Sequence, residues 1–291
     1  MKNTNLPITS REYKVMLNVA NFKDRKQGVK EFWQLIEFLA ISQGAKIITA
    51  DDEDELYQEK NRKTYYLDTE ALELKHKGFI LRVRKEEKKQ KPEYKFTLKY
   101  RSPDRYLSAS QNLSIEQLDN LSLSEDPSRK FEEDIIPPFS SKFSRSVSLE
   151  SEQKFNLDTV NEIQKVFPSL KELNIAGNKE LKIVNNFVAN EVAIKLNYKV
   201  IFAPEINDYP IEPVMSFWYL LGTKGELPLV GEFSFDYGSE NNQDEKEKLE
   251  NFPLTVIQGG NQWFAAIQKQ VNWLNFNSTT KTSFAYEGFA A

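Results

Sequence analysis

The stretch GFILRVRKE, residues 78 to 86, decides how this chain folds. At the two-residue period of a β-strand, Phe79, Leu81 and Val83 fall on one face and Arg82 and Arg84 on the other. If the apolar face packs inward in an open sheet, the arginines point at water. If the sheet closes on itself with helices packed outside, they point into a barrel, where such charge demands a partner. The same parity recurs along the chain. In SREYKVML (10–17), Glu12 and Lys14 oppose Tyr13, Val15 and Leu17; in YKFTLKYR (94–101), Lys95, Thr97, Lys99 and Arg101 oppose Phe96, Leu98 and Tyr100. RKFEEDI (129–135) sets Lys130, Glu132 and Asp134 against Phe131 and Ile135, with Glu133 interrupting the apolar face. VAIKLNYKVIF (192–202) sets Lys195, Asn197 and Lys199 against Ile194, Leu196, Tyr198 and Val200. GEFSFD (231–236) sets Glu232, Ser234 and Asp236 against Phe233 and Phe235. A one-sided sheet with a solvated face explains any one of these strands. Taken together they carry full charges segregated by strand, cations at 82, 84, 95, 99, 195 and 199 and carboxylates at 12, 132, 134, 232 and 236. A closed barrel with an ionic lumen accounts for that set.

The rest of the chain supplies the cover. Residues 27 to 43 read as a helix with Val29, Phe32, Trp33, Ile36 and Leu39 on one face, stopped by Gly44. The run DDEDE (51–55) reads as a solvated loop and TYYLDT (64–69) as a short strand. KEEKKQKP (85–92) suits an exposed hairpin connection between strands at 78–86 and 93–101. From 102 to 128 the pattern loosens, with a capping box at SIEQ (114–117), and the strand at 129–135 is closed by Pro137 and Pro138. Residues 139 to 156 are serine-rich and admit no single reading, while 157 to 173 look helical, with Val160, Ile163, Val166 and Phe167 as the apolar face. A long strand at about 191–202, a less regular apolar segment at 211–221 and a strand at 229–237 follow. The end reads as helix at about 245–250 and 261–274, the second carrying Trp263, Phe264, Ile267, Val271 and Trp273. No internal repeat or composition break separates a second domain.

Composition narrows the chemistry. Thirty-nine basic against 43 acidic residues give a net charge of −4, which argues against general affinity for nucleic acid or an anionic membrane. The absence of cysteine excludes disulfides, thiol nucleophiles and thiolate metal sites. His76 is the only histidine and reads as an exposed turn residue, so any metal would be held by oxygen, which points to Mg2+ or Mn2+. The N-terminus has no apolar signal core and no apolar run approaches the roughly 20 residues of a spanning helix, so a cytoplasmic location is expected. Nothing in the sequence sets the oligomeric state.

SREYK, YYLDT, GFILRVR, YKFTLK, KFEED, AIKLNYK and GEFSFD, in that order, resemble the successive strands of the CYTH superfamily, the triphosphate tunnel metalloenzymes. The resemblance runs from about residue 10 to 237. It rests on the order of the set, since an Arg-x-Arg or Glu-x-Lys alone is unspecific. It implies an α+β fold, a closed antiparallel eight-stranded β-barrel or tunnel with helices outside, formed by a single domain over 1–291. Inserted segments at about 102–128 and 138–190 and C-terminal helices at about 245–274 would elaborate it. The family includes inorganic triphosphatases, thiamine triphosphatases and a class of adenylate cyclases. By that likeness Lys14, Arg82, Arg84, Lys99, Lys195 and Lys199 would bind a triphosphate. Glu12, Glu132, Asp134, Glu232 and Asp236 would hold Mg2+ or Mn2+, with Glu12 and Glu132 catalytic. The expected function is metal-dependent hydrolysis of tripolyphosphate, a nucleoside triphosphate or thiamine triphosphate.

Three positions depart from the family pattern. The opening motif Glu-x-Glu-x-Lys is here Ser10, Glu12 and Lys14; Glu232 is followed by Ser234 rather than a second glutamate; Asn197 stands where a basic residue is expected. A hydroxyl is a poor substitute for a carboxylate around Mg2+. A catalytically weak tunnel that binds polyphosphate or an organic phosphate is therefore the alternative, ahead of an adenylate cyclase. Lys281, in STTKTSFAY (278–286), is a candidate for the tunnel mouth, as a lysine near the C-terminus is in some relatives.

Overall fold

The computed structural model describes residues 6–49, 56–88, 91–116, 123–203, 209–222, 227–238, 252–277 and 280–287. The acidic run at 51–55, the helix expected at 245–250 and part of the SIEQ capping box lie outside the described residues. Strands are β1 (Ser10–Leu17), β2 (Lys46–Thr49), β3 (Tyr57–Asp68), β4 (Phe79–Glu87), β5 (Pro92–Ser102) and β6 (Ser128–Ile136). They continue with β7 (Ser140–Ser151), β8 (Lys182–Ile183), β9 (Ala189–Leu196), β10 (Tyr198–Ile201), β11 (Glu212–Tyr219) and β12 (Val230–Gly238). Helices are α1 (Arg25–Ser42), α2 (Glu73–His76), α3 (Arg105–Ser110), α4 (Val160–Val166), α5 (Leu254–Gln268) and α6 (Lys281–Glu287).

Strand β4 carries the opening motif and begins at a turn that only glycine fits. Gly78 has φ +83°, and a Cβ there would lie 2.7 Å from the Tyr100 ring. From that turn β4 runs antiparallel to β5, with Arg82 opposite Thr97 and Arg84 opposite Lys95. Around the ring the order is β4, β5, β7, β6, β1, β12, β11, β9 and β3, and β3 pairs back to β4 to close it. Nine strands form the barrel where the resemblance implied eight antiparallel ones. An odd ring cannot alternate direction at every neighbour, and the mismatch falls at β1 and β6, which pair in parallel with Ser10 opposite Glu132 and Glu12 opposite Asp134. All other neighbours in the ring are antiparallel.

The ninth strand is β7, from the serine-rich stretch that the sequence left ambiguous. It is part of the barrel wall and not of an inserted segment. Its outward face holds Phe143, Val147 and Leu149, interrupted by Arg145, whose guanidinium bonds the carbonyls of Ala109 and Gln111 at the end of α3. Its inward face holds serines. Beyond β7 the stretch read as helical at 157–173 holds α4 and a short 3-10 helix at Pro168–Leu173. Thr159 and Glu162 make a reciprocal capping box at the start of α4.

The long strand expected at 191–202 is two strands. The chain bends at Asn197, and β10 leaves the barrel to pair with β2 in a separate two-stranded ribbon, Lys199 opposite Ile48. The helix expected at 261–274 is displaced toward the N-terminus, with α5 starting at Leu254 and ending at Gln268, and the short helix α6 follows it.

Apolar strand faces point outward and are covered by helices, an inversion of the usual open sheet. On one side α1 and α5 bury Val29, Phe32, Trp33, Ile36, Trp263, Phe264 and Ile267 against Tyr13, Val15, Ile194, Met215, Phe233 and Phe235. Tyr13 stacks on Phe235 at 4.7 Å between ring centres, and Trp263 Nε1 donates to the carbonyl of Ile36 at 2.8 Å. On the other side α4 packs Val160, Ile163 and Val166 over Leu81, Val83, Phe96, Leu98, Val147 and Leu149. With the outer faces covered, the charged parity has only the lumen to occupy. No helix among the described residues is long and apolar enough to cross a membrane.

Candidate functional site

Eight of the nine barrel strands and α6 line one cavity of about 1210 Å³. Ten basic side chains line it: Lys14, Arg62, Arg82, Arg84, Lys95, Lys99, Arg101, Arg129, Lys130 and Lys281. Seven carboxylates share the lining, Glu12, Glu125, Asp126, Glu132, Glu150, Glu232 and Asp236. Two more, Asp134 and Glu191, sit behind it and hold its cations. The side chains that line and back the lumen thus sum to nearly zero charge, although charge is everywhere in it.

The charges are arranged in two groups. In the first, Lys14 Nζ bridges Glu12 at 2.7 Å and Asp134 at 2.6 Å, Arg101 reaches Asp134 at 2.7 Å, and Lys99 reaches Glu132 at 3.0 Å. Burial alone would raise the carboxyl pKa of Asp134, but Arg101, Lys14 and Lys99 outweigh it and hold this group well below the usual range. Glu132 is also lowered: burial raises it, and Lys99 more than offsets that. Strand register explains the clustering, because Asp134, Glu12 and Asp236 stand side by side on β6, β1 and β12.

The second group surrounds Glu191, which is fully buried. Its carboxylate accepts from Arg62 at 2.8 and 3.1 Å, from the Thr64 hydroxyl at 2.6 Å and from the Ser216 hydroxyl at 2.8 Å. Arg84 and Lys281 each lie 3.5 Å from it, and Lys281 also bonds Glu232 at 3.0 Å. Burial and the neighbouring guanidiniums of Arg82 and Arg62 push Arg84 down to about 9. A guanidinium stays charged at neutral pH, so this depression measures crowding of positive charge. The buried Nε atoms of Arg82, Arg84 and Arg101 have no hydrogen-bond partner. Such donors, left unsatisfied in the wall of a cavity, mark a place where an anion fits.

Most residues singled out in the sequence meet in this cavity: Glu12, Lys14, Arg82, Arg84, Lys99, Glu132, Glu232 and Asp236 line it, and Asp134 lies directly behind. Two do not. Lys195 has lumen parity but lies outside the cavity lining, more than half exposed and paired with Glu212 at 2.7 Å. Lys199 rides on the outer ribbon because the strand breaks at Asn197, so its extrapolated parity does not apply. Lys281, the C-terminal candidate, is in the cavity. Sequence parity noted Arg101 without assigning it a role, and missed Arg62 and Glu191. Arg62 lies in a part of β3 so charged on both faces that the strand was recognised only from Thr64 onward.

Depressed carboxyl groups give a pH expectation. A carboxylate whose folded pKa lies below its unfolded value of about 4 stabilises the fold above that pH and stops doing so as pH falls through the folded pKa. Asp134, Glu132 and Glu191 all shift in this direction. Thermal unfolding should therefore show a stability plateau from pH 7 down to about 5 and a steep loss below about 4. A melting temperature unchanged at pH 3 would show that these pairs add nothing.

No profile of a known family matches this chain, and no curated protein matches it. Among solved structures, a candidate adenylate cyclase from Bacillus halodurans aligns over 95% of this chain and 99% of its own, at 12% identity and a TM-score of 0.41. A candidate adenylyl cyclase from Hippeastrum, described as having a dominant triphosphatase activity, aligns over 95% of both chains at 10% identity and a TM-score of 0.42. The closed barrel with helices outside and a charged lumen is the architecture that the resemblance read from the sequence leads one to expect, apart from its ninth strand and one parallel pairing.

Proposed function

We propose that the barrel binds the triphosphate chain of a small molecule and hydrolyses it with Mg2+ or Mn2+. The observation that carries this reading is the crowding of cations around one cavity large enough for a triphosphate, among them Arg82, Arg84 and Arg101, whose buried Nε atoms have no hydrogen-bond partner. Planar, bidentate guanidinium is the side chain best matched to phosphate oxygens. Arg62, Arg82, Arg84 and Lys281 would grip one part of the chain, and Lys14, Lys99 and Arg101 another.

Charge balance supports the metal. A triphosphate brings roughly four to five negative charges into a nearly neutral lumen, and a bound anion of that size needs cations to accompany it. The donors present are all carboxylates, the chemistry a hard divalent ion prefers. Asp134, Glu12 and Asp236 lie in one lateral row, with Glu132 and Glu232 on the same strands. These five are the residues that would hold the metal, which when bound supplies Lewis-acid polarisation of a phosphoryl oxygen and a more acidic water. The chain's own contribution is orientation. The cations fix the terminal phosphorus, while Glu132 and Glu12 position the attacking water and accept its proton. The bond to the bridging oxygen breaks, releasing orthophosphate and the shortened chain.

One observation favours a second reading, binding without turnover. Lys14 already bridges Glu12 and Asp134, the Ser10 Oγ is buried without a partner, and among the described residues no three carboxylates converge as a metal cage. Phosphate release with tripolyphosphate, ATP and thiamine triphosphate, each with Mg2+, Mn2+ or EDTA, separates the two. Metal-dependent release from at least one substrate supports hydrolysis; saturable binding with no release in any arm supports the second reading.

A further inference from the structure

Glu191 does something the other lumen carboxylates do not. It has no exposed surface, both its oxygens are fully engaged, and its partners include the cations that face the cavity from three different elements. Arg62 on β3 binds it in a two-point fork at 2.8 and 3.1 Å, whereas Arg84 on β4 and Lys281 on α6 approach only to 3.5 Å. Two hydroxyls, Thr64 and Ser216, pin the carboxylate itself. Four hydrogen bonds from three strand side chains thus fix one anion, while Arg84 and Lys281, both in the cavity lining, stay at 3.5 Å from it and Lys281 leans also on Glu232 at 3.0 Å.

We infer that Glu191 is the built-in anion of the phosphate cradle, a positioning residue that gathers Arg62, Arg84 and Lys281 and competes with an incoming phosphate for the last two. The inference rests on the phosphate-binding reading of the lumen and adds the residue that sets its affinity. Without Glu191, Arg62, Arg82 and Arg84 would crowd a low-dielectric pocket beside Lys281, whose Glu232 partner makes no ion pair with these arginines among the described residues, and the barrel would be destabilised by their repulsion. With Glu191 in place the cradle stays assembled, but each phosphate oxygen must draw Arg84 and Lys281 away from a carboxylate. Glu191 therefore trades affinity for stability of the unliganded protein. The Arg62 fork stays closed in both states, since it is the shortest and only two-point ion pair on that carboxylate.

The test compares Glu191→Gln with the unaltered protein, in EDTA, by thermal unfolding and by calorimetric titration with tripolyphosphate. The glutamine keeps the shape and can still accept from Thr64 or Arg62. The empty variant should melt at a lower temperature, bind tripolyphosphate about tenfold more tightly and show a larger ligand-induced rise in melting temperature. A buried residue with only a structural role would lower the melting temperature and leave the affinity unchanged or weaker, and that result overturns the inference. If the variant does not fold alone, refolding in tripolyphosphate should recover it; failure to recover at any concentration counts equally against the inference. No binding to the unaltered protein would instead remove the phosphate-binding reading itself.

Discussion

Arg84→Met is expected to leave the barrel folded, with a melting temperature at or above that of the unaltered protein, and to weaken tripolyphosphate binding about a hundredfold. Both halves come from one arrangement. The Arg84 guanidinium is depressed by burial and by its neighbours Arg82 and Arg62, and its Nε has no hydrogen-bond partner. Replacing a crowded, poorly paired charge with an apolar side chain of similar length removes repulsion from the wall, and Glu191 keeps Arg62 and Lys281. The same replacement deletes a charge-assisted donor pair from the cradle, worth about 1.5–3 kcal/mol for a hydrogen bond to a charged group. Thermal unfolding and calorimetric titration on the same preparation check both. A variant that melts lower and binds equally well would place Arg84 in the scaffold and outside the site.

Glu12→Gln should have the opposite profile, with turnover reduced by two or more orders of magnitude, about 3 kcal/mol, and binding in EDTA retained or tightened. Glu12 stands between Asp134 and Asp236 in the row of carboxylates and is held by Lys14 at 2.7 Å. Amidation removes the charge that would hold a divalent ion and releases Lys14 toward phosphate, while the strand keeps its register. The measurement is metal-dependent phosphate release beside titration in EDTA. Full residual activity would remove Glu12 from the chemistry.

Much of this architecture was legible because a barrel with its core outside reverses the normal parity rule and leaves charge on one face of strand after strand. Arg82 and Arg84 could be placed in the lumen only after β1, β5, β6 and β12 showed the same segregation, since any single strand is equally consistent with a solvated face. What escaped has physical causes. Strand β7 presents Ser146 and Ser148 to the lumen with Glu150 as a charge near its end, and interrupts its apolar face with Arg145, so both signals are weak. The eight-stranded count came from the resemblance, and without β7 nothing in the sequence stood against it or pointed to the parallel pairing of β1 with β6. Glu191 went unnoticed although it has the parity of Lys195, because it stands one residue before the stretch whose alternation was read, 192–202, and the partners that give it meaning, Arg62, Ser216 and Lys281, come from distant parts of the chain. Lys199 was misplaced because parity was carried through Asn197, where the backbone leaves the barrel. Parity assigns a face only as long as the strand stays in one sheet.

The central claim is that a triphosphate occupies the lumen. Its most direct test is calorimetric titration of tripolyphosphate into the unaltered protein and into Arg82→Ala, each with excess Mg2+ and with EDTA. The account expects saturable binding at one site per chain, tighter with Mg2+ than without, and at least about tenfold weaker in the variant. Absence of binding under both conditions, or binding of equal strength in the variant, would contradict it.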